Sequence, residues 1–237
     1  RDDSMVILQA KVLMARSRTI IGYFTSKVDT FEIRIGIKFS FDVYANNNGY
    51  APESRLLQAS NGQFYGVTSR GSSNNNFAGC FFEYDETINT ITNLALLNTL
   101  NISSQNYGSS LIQASNGNIY GILDEGGVAK LGVIFEYDIN TNTTQKKIDL
   151  YFAEKGSRPL GSLLLASNGK YYGLTNQSGS QLYGTLFVYV LNQNSFTNKF
   201  NFSFTSGMHP TGSLMEASNG KLYGTTQMGG GTNSYGT

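Results

Sequence analysis

The single histidine of the chain, His209, has the widest choice of chemistry of any side chain in the sequence. A neutral imidazole can act as a general base or as a metal ligand. No G-x-S-x-G nucleophile motif accompanies it, and no second ligand lies at a spacing typical of a metal site. His209 precedes Pro210 in the stretch "SGMHPTGS". We therefore predict that it belongs to a linker between strands and not to a reactive site.

Carboxylates in a repeated Glu-Tyr-Asp triplet are the second candidate for chemistry. The triplet stands at 83–85 and 136–138, and it becomes Val-Tyr-Val at 188–190. A pair of carboxylates can catalyse glycoside hydrolysis. An Asp at a strand end, however, often accepts backbone hydrogen bonds in the following turn. We interpret these residues as turn residues, and the sequence predicts no catalytic residue and no enzyme.

Glycine-rich loops such as "GGVAKLG" at 126–132 could suggest phosphate binding. A phosphate loop needs a helix after it and usually a Lys followed by Ser or Thr, whereas strand-like segments follow here. The stretch "DINTNTT" at 138–144 lacks the Gly and the final Glu of an EF-hand. The sequence therefore predicts no cofactor and no metal site.

Residues that differ between the glycine-rich loops are the candidates for ligand contact. They are Arg70, Asp124, Glu125 and Gln177. In a repeat protein, loop residues of this kind can give a binding face its specificity. Random variation of surface residues is the alternative interpretation.

An eight-residue motif shows which elements carry these loops. It reads "ASNGQFYG" (59–66), "ASNGNIYG" (114–121), "ASNGKYYG" (166–173) and "ASNGKLYG" (217–224). Successive copies begin 55, 52 and 51 residues apart, and "VILQA" at 6–10 is a partial copy. A fixed period of this size is the signature of a repeat architecture. The chain therefore contains about four and a half repeats.

Each repeat contains four apolar segments with the length and composition of β-strands. In one repeat they read "SLIQA", "NIYGIL", "VIFEYD" and "QKKIDLYF". The second and third segments carry large apolar residues at adjacent positions, so both of their faces must be covered. Small antiparallel sheets stacked face to face satisfy this need, and a β-propeller is such a stack closed radially.

The predicted fold class is therefore all-β: an incomplete β-propeller of about 4.5 four-stranded antiparallel blades in a single repeat domain. The units, numbered 1 to 5 below, span approximately residues 4–50 (degenerate), 51–106, 107–158, 159–209 and 210–237 (truncated). In unit 1, residues 11–22 stand where the motif belongs. This segment is either a diverged terminal repeat or the product of a slip in the reading frame.

The repeated motif also predicts local geometry. Asn-Gly is the preferred pair for a two-residue type I′ hairpin turn, in which both residues have positive φ. The Gly after each Tyr is predicted to let inner strands crowd a central axis, because Gly inside a strand needs such a reason. The residues with these structural roles are Asn61, Gly62, Tyr65, Gly66, Asn116, Gly117, Tyr120, Gly121, Asn168, Gly169, Tyr172, Gly173, Asn219, Gly220, Tyr223 and Gly224.

Composition limits the possible partners. Charged residues make up 14% of the 237 residues and the net charge is +1, so no strong field exists to attract nucleic acid. The one cysteine cannot form an intrachain disulfide. No apolar run reaches the length of about 18 residues that a membrane span requires. Because the chain begins with Arg1 and closes inside a repeat, we interpret it as a fragment.

The pattern L-x-x-A-x-x-G-x-L-Y-G-x-T-x-x-G-G, followed by G-x-x-F, resembles the GloVer tandem repeats of bacterial surface proteins. Residues 51–237 carry it throughout and residues 1–50 carry it in part. Kelch repeats share the Tyr and Gly signature, but this chain has no Trp. The resemblance implies an exported, repeat-built protein at the cell surface or outside the cell, with no settled activity.

Three functions are compatible with this sequence. The first is a non-catalytic surface module for binding or scaffolding, with a protein or glycan partner. The second is a fragment of a propeller-fold glycoside hydrolase or lyase, which would need two carboxylates in one central cleft. The third is a kelch-like intracellular interaction module. A signal peptide and a sorting segment in the complete gene would favour the first.

Overall fold

Antiparallel sheets account for most of the regular structure of the chain. The structure is a computed structural model, and it describes residues 21–27, 30–36, 49–52, 54–70, 79–100, 109–231 and 235–237. Most of the altered segment of unit 1, residues 11–20, lies outside the described residues.

The strands follow the apolar segments of each repeat. They are β1 (Ile21–Lys27), β2 (Thr30–Gly36), β3 (Tyr50–Pro52), β4 (Leu57–Gln58), β5 (Phe64–Arg70), β6 (Cys80–Asp85), β7 (Thr90–Leu96), β8 (Ser109–Gln113), β9 (Ile119–Leu123), β10 (Val133–Asp138), β11 (Thr143–Asp149), β12 (Leu164–Leu165), β13 (Tyr171–Thr175), β14 (Thr185–Val190), β15 (Ser195–Asn201), β16 (Met215–Glu216) and β17 (Leu222–Tyr223). Short helical segments lie at Leu97–Leu100, Phe152–Lys155 and Leu191–Gln193.

Strand order follows chain order within the repeats. Unit 3 forms the sheet β8-β9-β10-β11, and unit 4 forms β12-β13-β14-β15. In unit 2, β3 and β4 both pair with β5, which is followed by β6 and β7. β16 pairs with β17 in unit 5, and β1 pairs with β2 in unit 1. The prediction of an all-β chain made mostly of four-stranded antiparallel sheets is confirmed.

Neighbouring sheets pack face to face over their second and third strands. One buried cluster joins Tyr65 and Phe81 of unit 2 to Phe135 and Tyr137 of unit 3. The rings of Phe81 and Tyr137 meet edge to face, with centroids 5.0 Å apart. A buried aromatic side chain typically contributes about 1.5–3 kcal/mol, and an edge-to-face pair adds about 0.5–1.5 kcal/mol.

The opposite face of the unit 3 sheet is covered by unit 4. Here Tyr120 and Ile122 of unit 3 are buried in one cluster with Tyr171, Phe187 and Tyr189 of unit 4. The alternation of side chains along a strand explains this arrangement, because Tyr120 and its neighbour in sequence point to opposite faces. The predicted shielding of both faces is confirmed for unit 3.

Shielding is incomplete toward the last unit. Tyr172 is half-buried, and Tyr223 is 49% exposed, so the predicted coverage of both faces is incomplete at the second strands of units 4 and 5. Within the described residues β17 pairs only with β16. Tyr223 therefore has no third strand beside it.

The predicted type I′ turn is wrong. In the first motif the Gly62 N–H donates to Ala59 O at 2.9 Å, and the Ala59 N–H donates to Gln63 O at 3.0 Å. Only the glycine of the pair has positive φ, +85° at Gly62. This is a three-residue loop in which a type I turn is followed by a left-handed Gly bulge. The Ser before each Asn-Gly pair is thus part of the loop, and the same pattern holds in units 3, 4 and 5.

The reason predicted for the Tyr-Gly glycines is also wrong. Gly66, Gly121 and Gly173 lie opposite Phe82, Phe135 and Phe187 on the next strand of the same sheet. A Cβ atom on Gly121 would lie 2.0 Å from the ring of Phe135, and on Gly173 it would lie 2.3 Å from Phe187. An aromatic ring thus fills the space over each of these glycines. The crowding comes from within the sheet and not from a central axis.

We expect Gly173→Ala to lower the free energy of unfolding by about 1–3 kcal/mol, because the added methyl group must displace the Phe187 ring from a packed core. Gly224 is the matched control. A Cβ there would meet Leu214 Cδ2 at 3.0 Å and has no Phe opposite it. Urea unfolding of both variants checks the prediction, and equal losses would contradict it.

Candidate functional site

The chain path gives every sheet two ends. The turn end carries the motif turns at 60–62, 115–117, 167–169 and 218–220, together with the turns between third and fourth strands. The loop end carries the glycine-rich loops, such as 124–132 and 176–184, and the linkers that enter each unit. Asp124, Glu125 and Gln177 follow a second strand, and Arg70 is the last residue of one, so all four candidate ligand residues lie at the loop end.

At the turn end each motif Asn fixes the motif Tyr. Asn61 Nδ2 donates to the hydroxyl oxygen of Tyr65 at 2.9 Å, while Asn61 Oδ1 accepts the Gln63 N–H at 3.1 Å. The amide therefore closes the turn and holds a phenol at the same time. The corresponding Asn-to-Tyr distances are 3.3 Å in unit 3, 3.0 Å in unit 4 and 3.4 Å in unit 5.

A carboxylate completes this cluster in units 2 and 3. The Tyr65 hydroxyl donates to Glu83 Oε2 at 2.7 Å, and the Tyr120 hydroxyl donates to Glu136. Lys147 Nζ lies 2.9 Å from Glu136 Oε2. Lys147 is the extra residue of a bulge in β11, since Ile134 and Phe135 pair with residues 148 and 146. The bulge therefore supports an ion pair that the strand pattern alone did not indicate.

The pKa directions show that these groups act as structural donors and acceptors. Burial, followed by the hydrogen bond to Glu136, raises the pKa of Tyr120 well above its ordinary value. Burial alone would raise the pKa of Glu136, but hydrogen bonds from Tyr120 and its other partners outweigh burial and lower it. At neutral pH the phenol keeps its proton and the carboxylate is ionised.

The Asp residues of the repeated triplet cap turns, as predicted. Asp85 Oδ1 accepts the Thr87 N–H at 2.8 Å, and Asp138 Oδ1 accepts the Asn140 N–H at 2.8 Å. The interpretation as turn residues is confirmed for Asp85 and Asp138, whereas Glu83 and Glu136 lie within β6 and β10 and accept hydrogen bonds from tyrosines.

The Tyr of the same triplet has a role that sequence reasoning missed. Tyr84, Tyr137 and Tyr189 are buried. Each donates its hydroxyl to an Asn five residues later, at 2.9, 2.8 and 2.8 Å in units 2, 3 and 4. Those Asn residues have φ of +54°, +54° and +45°. The regular Tyr-to-Asn spacing was the available signal.

Hydrogen bonds at the turn end also join consecutive units. The Ser60 N–H donates to Gln113 Oε1 at 2.8 Å, and the Ser167 N–H donates to Glu216 Oε2 at 2.7 Å. Gln113 and Glu216 occupy the same position in their repeats, just before the motif Ala. Leu165 holds that position in unit 4, where the Ser115 N–H donates instead to the Tyr171 hydroxyl at 3.2 Å.

At the loop end a linker of the form Gly-x-x-Pro enters units 2, 4 and 5. It reads "GYAP" at 49–52, "GSRP" at 156–159 and "GMHP" at 207–210. The third residue has φ of +54°, +53° and +55° in turn. This left-handed residue connects two units: the Arg158 N–H donates to Leu131 O of unit 3 at 2.7 Å, and the Arg158 carbonyl oxygen accepts the Asn176 N–H of unit 4 at 3.0 Å. His209 does the same between Tyr183 O at 3.0 Å and the Gln227 N–H at 3.2 Å. The sequence aligns the prolines of these linkers, but it did not indicate the left-handed residue before each.

His209 lies in such a linker, as predicted. Its Nδ1 is 2.9 Å from the carbonyl oxygen of Asn176. Its ring packs edge to face on Tyr183, with centroids 5.7 Å apart. These contacts hold the linker against the preceding glycine-rich loop.

The predicted ligand residues occupy two positions at the loop end. Arg70 pairs across the sheet with Tyr50, and its guanidinium carbon lies 5.7 Å from the centre of that ring. Gln177 is exposed, and its backbone pairs with Ser157 of the linker. Two of the four candidates are therefore held beside linker residues.

The other two candidates, Asp124 and Glu125, are less accessible than the sequence suggested. Asp124 is buried. Glu125 is half-buried, and Arg158 Nη2 lies 3.9 Å from its Oε1. Burial raises the pKa of Glu125, and the charges of Arg158 and Lys130 offset only part of that rise. Surface variation does not describe these two residues.

Apolar side chains project from the glycine-rich loops. Val128 of unit 3 is 81% exposed and Leu182 of unit 4 is 71% exposed. In each loop a backbone N–H donates a hydrogen bond to the side chain of the last residue of the unit's fourth strand. The Val128 N–H donates to Asp149 Oδ1 at 3.0 Å, and the Ser180 N–H donates to Asn201 Oδ1 at 2.9 Å. Fixed loops thus hold exposed apolar groups in solvent.

In the described part of the chain, no group of three or more His, Cys, Asp and Glu residues is arranged to hold a metal ion. Among those same residues, no helix has the length and apolar character needed to cross a membrane.

A family model described as the Gloeobacter/Verrucomicrobia repeat matches residues 51–237. These are the residues in which the sequence pattern is complete. No curated protein matches the chain in sequence. TolB from Acinetobacter baumannii is among the solved structures that are similar, with 15% sequence identity and a TM-score of 0.48. The similarity covers 87% of this chain and 46% of the TolB chain, so this chain spans about half of that structure.

We expect Glu136→Gln to lower the free energy of unfolding at neutral pH by about 1–3 kcal/mol, because it removes a charged hydrogen-bond partner. The pKa of Glu136 is lowered in the folded state. Its contribution is therefore present above the unfolded pKa of about 4.3 and is lost as pH falls through the folded pKa. Wild type and variant should converge in acid.

The matched control is Glu154→Gln, because Glu154 is exposed in the helical segment Phe152–Lys155. Its effect on unfolding should stay within about 0.5 kcal/mol at neutral pH. Urea unfolding between neutral and acidic pH tests both variants, and a Glu136→Gln difference that persists unchanged in acid would contradict the assignment.

Proposed function

Because the chain belongs to the Gloeobacter/Verrucomicrobia repeat family, we propose that it is a non-catalytic module of an exported or cell-surface protein. It binds or scaffolds a glycan or protein partner through its loop end. The observation that carries the proposal is the exposure of Val128 and Leu182 on loops that are hydrogen-bonded to the ends of fourth strands.

The units are the blades of an incomplete β-propeller in this proposal. Two features support a radial arrangement. Both faces of the unit 3 sheet are covered by the sheets next to it. The chain also approaches itself closely just before the first strands of units 4 and 5, where a Cβ on Gly161 would lie 2.3 Å from Gly212 O. Close approach at the first strands is what wedge-shaped blades around an axis require.

A non-catalytic role is supported by the structural hydrogen bonds that the polar repeat residues already make. Glu83 and Glu136 accept hydrogen bonds from buried tyrosines. Asp85 and Asp138 cap turns, and His209 holds a linker. Each of these groups was a candidate for catalysis in the sequence, and each makes contacts that stabilise the fold.

The loop end has the composition of a contact surface. Contiguous exposed apolar patches with a polar rim mark interaction sites, and in this proposal Val128 and Leu182 contribute to one such surface, with Gln177 and Lys130 exposed near them in the chain. The rigid anchoring of the loops lowers the entropy lost on binding. Loops on a fixed scaffold are a common place for ligand contact.

An array that carries bacterial and host glycans together with purified surface proteins tests the proposal. We expect the labelled chain to bind, and the triple variant Val128→Ser, Leu182→Ser, Gln177→Ala to lose at least about tenfold in affinity. Truncating central contact residues commonly costs more than about 1 kcal/mol each.

Ile88→Ser is the matched control, because Ile88 is 68% exposed but lies in a turn at the opposite end. It should leave binding unchanged. Loss of binding in this control, with retention in the triple variant, would place the face at the turn end. Release of shortened glycans would show an enzyme instead, and binding to neither ligand class would remove the proposal.

A further inference from the structure

The four Asn-Gly turns have a reactivity that the scaffold role does not use. We propose that they are intrinsic deamidation sites, and that contacts within each unit set the order in which they react. Asn168 reacts first, and Asn61 and Asn116 are protected. Each event turns a neutral amide at the turn end into a carboxylate, so the charge of this end depends on the age of the molecule.

The chemistry needs only the chain and water. The backbone nitrogen of the Gly attacks Cγ of the preceding Asn and forms a new N–Cγ bond. The Cγ–Nδ2 bond breaks, and the nitrogen leaves as ammonia with the proton released from the Gly nitrogen. Water then opens the resulting succinimide ring at either carbonyl and gives aspartate or isoaspartate. No oxidant, reductant or cofactor takes part.

The local surroundings leave room for this reaction. All four Asn residues are exposed. Apart from its two chain neighbours, no residue has an atom within 4 Å of the position that a Cβ would take on the Gly of each pair. Most other described glycines have neighbours closer than 3.4 Å at that position. Each of these turns therefore has open space beside its Gly.

Hydrogen bonds in the folded turn oppose the attack. The nucleophilic Gly N–H donates to the motif Ala carbonyl at 2.9 Å in all four units. Asn Oδ1 accepts a backbone N–H at 3.0–3.1 Å, and Nδ2 donates to the motif Tyr. The reaction therefore requires the turn to open, and its rate reports the local opening free energy.

The units differ in how firmly they hold the turn. In units 2 and 3 the motif Tyr is buried and also donates to Glu83 or Glu136. In unit 4 the Tyr is half-buried, and Val188 stands where Glu83 and Glu136 stand. The opening free energy is therefore higher in units 2 and 3 than in unit 4.

The product has different consequences in different units. In unit 3 the Tyr120 hydroxyl already donates its hydrogen bond to Glu136. An aspartate at 116 would place a second carboxylate against the same phenol oxygen, and two like charges that compete for one hydrogen-bond donor repel. In unit 4 the Tyr172 hydroxyl can turn its hydrogen toward an aspartate at 168. The early site, Asn168, therefore tolerates the product, while the protected sites do not.

Peptide mapping by mass spectrometry during storage of the folded chain in mildly alkaline buffer tests the order. We expect Asn168 to deamidate at least about tenfold faster than Asn61. In urea the four rates should become similar, because each site has the same Asn-Gly pair. Equal rates in the folded chain, or the same order in urea, would overturn the proposal.

Tyr65→Phe provides a site-specific check, because it removes the hydroxyl that holds Asn61. It should accelerate deamidation at Asn61 and leave Asn168 unchanged. If Tyr65→Phe leaves the Asn61 rate unchanged, the protective contact is disproved.

Direct substitution of Asp for Asn measures the effect of the product on stability separately from the rate of deamidation. Asn116→Asp should lower the melting temperature by roughly 2–4 °C or more, the shift typical of one lost hydrogen-bonded contact in a chain of this size, and Asn168→Asp should leave it nearly unchanged. Equal shifts in the two variants would contradict the role of Glu136.

Discussion

Coverage of both sheet faces is the constraint on which this structure depends. The second and third strands carry large apolar side chains on each face, and a sheet of four short strands cannot bury them alone. The unit 3 sheet resolves this by packing Phe135 and Tyr137 on unit 2 and Tyr120 and Ile122 on unit 4. Stability is therefore shared between neighbours, as in other repeat proteins.

The remaining repeat residues serve this packing in specific ways. Gly121 makes room for the Phe135 ring within the sheet, and the motif Asn holds the motif Tyr where it can enter the contact between units. At the opposite end a left-handed linker residue such as His209 ties each unit to the loop before it. The polar groups described at the turn end thus stabilise the fold, while the loop end retains exposed groups on hydrogen-bonded loops. This division supports the placement of a binding face at the loop end.

The sequence predicted the strands and their grouping because these depend on local composition and period. It failed where the answer depended on a partner strand. The need for a glycine at position 66 depends on the strand register that places Phe82 opposite it. The turn at Asn61 was predicted as type I′ from the Asn-Gly pair alone, but the pairing of Ala59 with Gln63 adds Ser60 to the loop. The burial of Asp124 depends on tertiary packing, which the amino-acid composition of a loop does not indicate.

A double-mutant cycle between Phe81 and Tyr137 tests the central claim most directly, since these rings belong to neighbouring units and lie 5.0 Å apart. Each residue is changed to Leu, singly and together, and unfolding in urea is measured. The account predicts a coupling energy of about 0.5–1.5 kcal/mol. Phe81 and Tyr189, which belong to different clusters, should be additive within about 0.5 kcal/mol. Additivity of the Phe81 and Tyr137 changes would contradict the claim that neighbouring sheets stabilise each other through their faces.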